Sequence, residues 1–445
     1  MMWLLIIIAL ILSYIPLINK KIDLANYMWL LIPIDAYGIS IAGATIKPYM
    51  VFAFILPIIL YARNKGTNFD LSASKWQLFL GIISIFIVTV NFINCDNFSS
   101  VKAALMTLIV YICAQLYCSS TNLNHIEQLS DVFIASSFGC GIVYVLAYIL
   151  LENGFALNSI VALNRADNGM FLSMGDMING KYTVTLRLRG FAFDPNTMFL
   201  QFSFAIPSCI SKLFKKFNIY HILTLVISIV CILLSGSRMG LFCCIVCVII
   251  TSIVCVIQFD SIKKKLLSMV SVLVVCIGFL ITTMSKWGQN IISTLLSTYS
   301  NRSSLTDEFG RLSIWKESLR IYWDMNPLFG IGYNNMSLFS SIGRMTHNTW
   351  LQFICECGFI VGGIAIIYFF TVLILGWIKL RSYNLNCPKN TSYLALVIGY
   401  TMTIIALISV DNITCSYLWF GALLLLKMAH YVPKSPHKIS DRKQI

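Results

Sequence analysis

The chain has 445 residues, 58% of them hydrophobic and only 11% charged, with a formal net charge of +14. Soluble domains run at roughly 45–50% apolar and about 25% charged, so a water-soluble globular protein is excluded, as the mean hydropathy of +0.81 also indicates. The positive charge does not call for nucleic acid: most Lys and Arg sit in short loops of one sidedness, as membrane orientation requires, and no recognised nucleic-acid module accompanies them.

Residues 3–18 read as a first, retained helix, because Met1-Met-Trp-Leu lacks the basic leader and small-residue cleavage site of a signal peptide. Residues 26–44 are apolar but interrupted by Pro33, Asp35 and Gly38. They suit an interfacial or re-entrant segment, since irregular backbone is tolerated where protein or water covers it. Further spans are expected at 47–62, 76–93, 102–118, 131–151, 196–213, 219–235, 238–257, 266–284, 348–376, 392–410 and 413–429. These runs match the roughly 17–25 apolar residues that cross a bilayer, giving an all-α polytopic membrane protein with about 12 transmembrane helices.

Loop charge assigns the sides. Arg63/Lys65/Lys75, Lys212/Lys215/Lys216, Lys263–Lys265, Lys379/Arg381/Lys389 and the basic tail 430–445 share one face, which the positive-inside bias makes cytoplasmic. Two long loops, 152–195 and 285–347, fall on the other face. Both are cationic, against the orientation rule, so an anionic ligand is expected there. Loops of such length in compact proteins usually carry function. In the second, Ser304-Leu-Thr-Asp307 resembles a capping box. Leu312, Trp315 and Leu319 recur at helical spacing, so residues 307–323 read as an amphipathic helix ended by Asn326-Pro327. Trp315, Tyr322 and Trp323 would lie at headgroup level.

Most of the 15 cysteines lie inside apolar runs. Cys243, Cys244 and Cys247 are read as small-residue packing rather than a metal site, and no disulfide framework is expected.

Of five histidines, His125, His221, His430 and His437 fall on the basic side. His347 alone falls on the other, at the mouth of a membrane helix and downstream of an arginine-bearing loop. Nearby cations favour a neutral imidazole, the form that can act as a general base. Guanidinium groups bind phosphate in a bidentate manner, and Arg187, Arg189, Arg238 and Arg311 together suit a diphosphate. Asp194, before Pro195, reads first as a helix cap. Glu356 either lines the site or has a structural partner, as an intramembrane carboxylate must. No P-loop and no paired-carboxylate metal motif is present, so neither ATP-driven transport nor a metal-dependent sugar-nucleotide transferase has support. No metal or other cofactor is expected.

At Arg189-Gly-Phe-Ala-Phe-Asp-Pro-Asn196, Leu234-Ser-Gly-Ser-Arg238, Gly310-Arg311-Leu-Ser-Ile-Trp315, Pro327-Leu-Phe-Gly-Ile-Gly332 and His347-Asn348, with Gly358 and Gly362 beyond, the chain resembles the O-antigen polymerase/O-antigen ligase superfamily of bacterial envelope proteins. The resemblance runs over roughly residues 180–365 and rests on the order of short pieces. It implies a metal-independent, GT-C-like glycosyltransferase of the inner membrane, acting at the periplasmic face on undecaprenyl-diphosphate-linked glycans. His347 would be the catalytic base. Arginines from the set Arg187, Arg189, Arg238 and Arg311, with Asn348 and Asp194, would bind the diphosphate or glycan, and either Arg187 or Arg189 fills the family's arginine position. Both long loops would then be periplasmic. A polymerase is favoured over a ligase, and a lipid-linked oligosaccharide flippase less so, because the charges gather in loops rather than at the bilayer midplane. Membrane lipids and a chain-length regulator are the further partners implied.

Overall fold

The computed structural model describes residues 1–41, 44–63, 74–94, 98–155, 160–163, 167, 169–178, 181–258, 311–341, 343–382 and 388–430. The chain is an all-α polytopic membrane protein. Among the described residues, six helices are long and apolar enough to cross a membrane, and four more are apolar but shorter.

In chain order the helices are α1 Met2–Tyr14, the single turn α2 Met28–Leu31, α3 Pro48–Arg63, α4 Lys75–Ile93, α5 Phe98–Ser120, α6 Leu129–Glu152, α7 Ala205–Leu213, α8 Ile219–Leu234, α9 Arg238–Gln258, α10 Arg311–Met325, the single turn α11 Met336–Phe339, α12 Thr349–Arg381, α13 Pro388–Ala406 and α14 Ser416–His430. Polar caps set several starts. Ser74 and Gln77 form a reciprocal capping box on α4, and Asn218 Oδ1 accepts from the Tyr220 amide at the head of α8. Helix α13 is almost wholly buried. It packs on α7, α9, α12 and α14, while α6 joins α1, α7 and α8.

Most expected spans coincide with these helices; 266–284 lies outside the described residues. The segment expected to span continuously at 196–213 does not. It is a 3-10 helix, Pro195–Gln201, followed by the nine-residue α7. Buried side chains take up part of the break: the Ser137 hydroxyl donates to the Gln201 carbonyl at 3.1 Å. Residues 26–44 form a 3-10 turn, Leu24–Tyr27, then α2 and a small hairpin of β1 Ile39–Ile41 and β2 Ala44–Ile46. At about 1.5 Å per residue no helix there reaches across a bilayer.

Among its described residues, the first long loop is built mainly on strands. Strand β4, Phe171–Ile178, pairs antiparallel with β5, Lys181–Leu188, in a register that sets Leu172 opposite Arg187. The short β3, Val161–Ala162, adds on in parallel. In the second long loop the helix is α10, and the expected capping box 304–307 lies outside the described residues. Its inward stripe is Ile314, Ser318 and Tyr322, whereas Leu312, Leu319 and Trp323 point outward. Tyr322, expected among headgroups, is instead buried, and its hydroxyl donates to the Pro327 carbonyl at 2.6 Å.

The expected helix 348–376 is broken. Gly358 sits at φ 79° and ψ 168° inside α12, and Pro327–Gly332 fills the gap. The amides of Phe359 and Ile360 donate to Pro327 and Leu328, and those of Ile331 and Gly332 donate to Cys355 and Glu356, over 2.9–3.3 Å. Two glycines make this possible. A Cβ on Gly330 would stand 2.5 Å from the Glu356 backbone, and one on Gly358 would stand 2.2 Å from the Leu328 carbonyl oxygen. Pro327-Leu-Phe-Gly-Ile-Gly332 is thus a backbone splice into a membrane helix.

Candidate active site

The site forms where the head of α12 meets the turn between α13 and α14. His347 Nδ1 lies 3.3 Å from Asp411 Oδ2, in a pair that leaves the imidazole a quarter exposed and the carboxylate largely covered. The other oxygen, Oδ1, accepts from the Thr346 hydroxyl and, at 3.1 Å, from the Asn348 amide. One carboxylate therefore holds three consecutive residues. The chain must reverse between the two flanking tethers, and His347 takes up the reversal at φ 50°, a left-handed conformation that histidine tolerates better than most residues. Thr349 Oγ1 donates to the Val410 carbonyl at 2.6 Å and accepts from the Asn412 amide at 3.1 Å, closing the zipper.

This geometry selects a tautomer. With Nδ1–H directed at Asp411, Nε2 is left with its lone pair, the nitrogen that can accept a proton. Burial works to raise the Asp411 carboxyl, but the hydrogen bond and charge of His347, with the Thr346 hydroxyl, outweigh it and hold the group below its ordinary range. An imidazolium formed at His347 would be stabilised by a carboxylate already ionised beside it. Sequence reasoning missed Asp411, which sits 64 positions downstream in a short interhelical turn.

Arg311 reaches the same turn. Its Nη2 donates to the Ser409 carbonyl at 3.4 Å, so the first residue of α10 contacts the residue two positions before Asp411. The other arginines gather elsewhere. Arg187 Nε donates to the Ser235 carbonyl at 2.8 Å and Nη2 to Asn196 Oδ1 at 3.3 Å. That carbonyl belongs to the tight turn Leu234-Ser-Gly-Ser-Arg238, where Gly236 takes φ 58° and Arg238 opens α9 with its side chain exposed. Arg187 and Arg238 thus share one turn.

Arg189 is directed differently. Nε donates to Gly169 at 2.8 Å, Nη1 to Phe193 at 3.3 Å and Nη2 to Asp167, all backbone carbonyls of its own loop. Burial lowers the guanidinium's proton affinity, while Tyr37, Asp194 and Asp167 pull the other way. Two further expected residues serve as caps. Asp194 Oδ1 accepts from the Asn196 amide at 2.8 Å, and Asn348 Oδ1 accepts from the amides of Trp350 and Leu351 at 3.0 and 3.2 Å. Glu356 is fully buried, with Oε2 accepting from Gln352 at 2.8 Å. Among the described residues no group of three or more His, Cys, Asp or Glu is placed to hold a metal ion.

The 3-10 helix 195–201 connects the two arginine-bearing regions. Asn196 near its start holds Arg187, and Thr197 and Gln201 line a notch together with Asn412, the neighbour of Asp411.

Against this geometry, residues 223–367 match the family model described as O-Antigen ligase. The chain is similar to that family over this stretch, about a third of its length. The matched stretch holds Arg238, Arg311 and His347, but not Asp411 or Arg187. The match supports a function of the O-antigen polymerase or ligase class. No curated protein matches the chain.

Proposed function

We propose that the protein polymerises undecaprenyl-diphosphate-linked oligosaccharide repeat units into O-antigen or capsular polysaccharide at the periplasmic face of the inner membrane. The His347–Asp411 pair carries this reading. His347 Nε2 takes the proton of an acceptor hydroxyl as that oxygen attacks the anomeric carbon joined to the diphosphate. The carbon–oxygen bond to the diphosphate breaks, and inversion follows from attack opposite the leaving group. Asp411 stabilises the imidazolium. Negative charge grows on the departing diphosphate, and preorganised guanidinium groups lower the barrier there. Arg311, at the dyad's own turn, and the Arg187–Arg238 pair are the groups suited to that task. Arg189, engaged with backbone carbonyls, is suited to shaping the loop.

The matching family model is described as O-antigen ligase, which favours transfer of finished glycan to lipid A-core as the second reading. Polymerases answer to each strain's repeat unit and diverge strongly, which accords with a resemblance carried by short pieces. Gene deletion followed by lipopolysaccharide electrophoresis separates the readings. A polymerase loss leaves core plus one repeat. A ligase loss leaves bare core with lipid-linked polymer behind it, and a flippase loss leaves bare core without polymer. Complementation by His347→Ala or Arg311→Ala should fail although the protein inserts; normal ladders from well-expressed His347→Ala would remove the base.

A further inference from the structure

The hydroxyl of Tyr144 takes no part in the chemistry above, yet it joins the segments that hold one arginine of that chemistry. Tyr144 lies on α6 and is fully buried. Its hydroxyl donates to Gln201 Oε1 at 2.7 Å and accepts from the Phe191 amide at 3.1 Å. Gly190, at φ 60°, leaves room for the aromatic ring: a Cβ there would stand 2.6 Å from Tyr144 Cζ. Phe191 belongs to the chain leaving β5, four positions after Arg187. Gln201 ends the 3-10 helix Pro195–Gln201, of which Asn196 is the second residue. Between these two segments Arg187 Nη2 donates to Asn196 Oδ1 at 3.3 Å. The links close a circuit that runs from Tyr144 to Phe191, back along the chain to Arg187, across to Asn196, and along the 3-10 helix to Gln201 and Tyr144 again.

We propose that Tyr144 is a positioning residue for Arg187: by fixing Phe191 and Gln201 relative to each other, its hydroxyl sets the spacing of Arg187 and Asn196, and so the direction in which the guanidinium meets a diphosphate. The inference rests on the reading of Arg187 as a diphosphate-binding group. Two-pronged recognition of phosphate by guanidinium depends on orientation as well as charge, so a shift of the support weakens that contact without removing the charge. Holding α6 in place falls mainly to the aromatic ring, which packs against Phe191 at 5.0 Å between centroids and faces Gly190. Phenylalanine would keep that packing and leave the Phe191 amide and Gln201 Oε1 without their shared partner, and unmade bonds of buried groups are costly. Both groups belong to the circuit through Arg187, so the readjustment falls there.

A double-substitution cycle in the full-length protein, reconstituted in nanodiscs with undecaprenyl-diphosphate-linked repeat units, tests the coupling. Tyr144→Phe should lower kcat/KM about tenfold in the wild-type background. The loss should be less than about twofold where Arg187→Ala has already removed the guanidinium, as for coupled members of one network. Arg187→Lys provides a second background, and Gln201→Met a second way to open the circuit, where either first variant does not melt cooperatively. Tyr368→Phe is the matched control: it deletes a hydroxyl that donates from α12 to the Trp76 carbonyl of α4 at 2.6 Å, and it should leave kcat/KM unchanged. Equal losses in both backgrounds, no loss in the wild type, or an equal loss from Tyr368→Phe overturn the proposal. Wild-type kcat/KM in Arg187→Ala refutes the reading of Arg187, and the proposal with it. A wild type that transfers to no acceptor refutes glycosyl transfer itself, and both with it.

Discussion

Replacing Asp411 by Asn tests the dyad most sharply, because the structure separates its structural and chemical duties. Oδ1 accepts from Thr346 and from the Asn348 amide, and an asparagine oxygen at that position keeps both bonds. Oδ2 faces His347 Nδ1, and there the substitution presents an NH2 group. Two donors cannot face each other, so the imidazole moves its proton to Nε2 and can no longer accept one. Losing charge assistance on the retained bonds should cost about 1–2 kcal/mol of stability. The rate should suffer far more. A histidine held in the wrong tautomer by the same exchange loses about four orders of magnitude, or roughly 5 kcal/mol of transition-state stabilisation. We expect kcat for transfer from a lipid-linked donor to fall about a thousandfold or more, with KM little changed and the protein still melting cooperatively in detergent. A folded Asp411→Asn protein keeping a third of wild-type kcat would refute the dyad.

The splice at Gly358 predicts that Gly330→Ala or Gly358→Ala destabilises the fold by about 3 kcal/mol or more, since each new Cβ meets backbone. Gly363→Ala, which meets nothing within 4 Å, should leave the melting temperature unchanged or slightly higher. Arg238→Ala should weaken donor binding, read as a roughly tenfold rise in KM, with stability preserved because the side chain is exposed. Arg189→Ala should lower the melting temperature first, through loss of its carbonyl contacts. Asp411 gives a signed pH dependence. A carboxyl held below its ordinary value contributes stability above its unfolded value near 3.9, lost as pH falls through the lower folded value. The melting gap between wild type and Asp411→Asn should therefore be constant from neutral pH to about pH 5, and shrink below pH 4. A gap that closed near pH 7 would contradict this.

Long apolar runs were legible because lipid leaves a helix few alternatives, and His347 stands out in the sequence as the histidine set apart from the basic loops. What escaped the reading is non-local. Asp411 belongs to a short turn, and nothing in its neighbours announces that it will meet residue 347. The break at Gly358 was invisible because a hydrophobic run looks alike whether its helix is whole or interrupted; only the docking of Pro327–Gly332 reveals it. The hairpin had a local signal that went unused. Asn179-Gly180 lies between two segments rich in apolar and β-branched residues, a strong short-range hairpin pattern. The alternation in Thr183, Thr185 and Arg187 fits a strand period of two. For the arginines, sequence grouped four residues by charge, whereas hydrogen bonding divides them into Arg311 at the dyad's turn, Arg187 with Arg238, and Arg189 within its loop.

The splice in α12 also bears on how the protein is made. Four backbone groups around Gly358 find their partners in Pro327–Gly332, and lipid can pair none of them. Helix α12 is therefore not a self-sufficient unit of membrane insertion. During synthesis residues 327–332 emerge before 349–381, so the segment that completes the broken helix is made ahead of it. An insertion lengthening the stretch between Gly332 and His347 would delay that meeting and expose the break to proteolysis, even with every catalytic side chain intact.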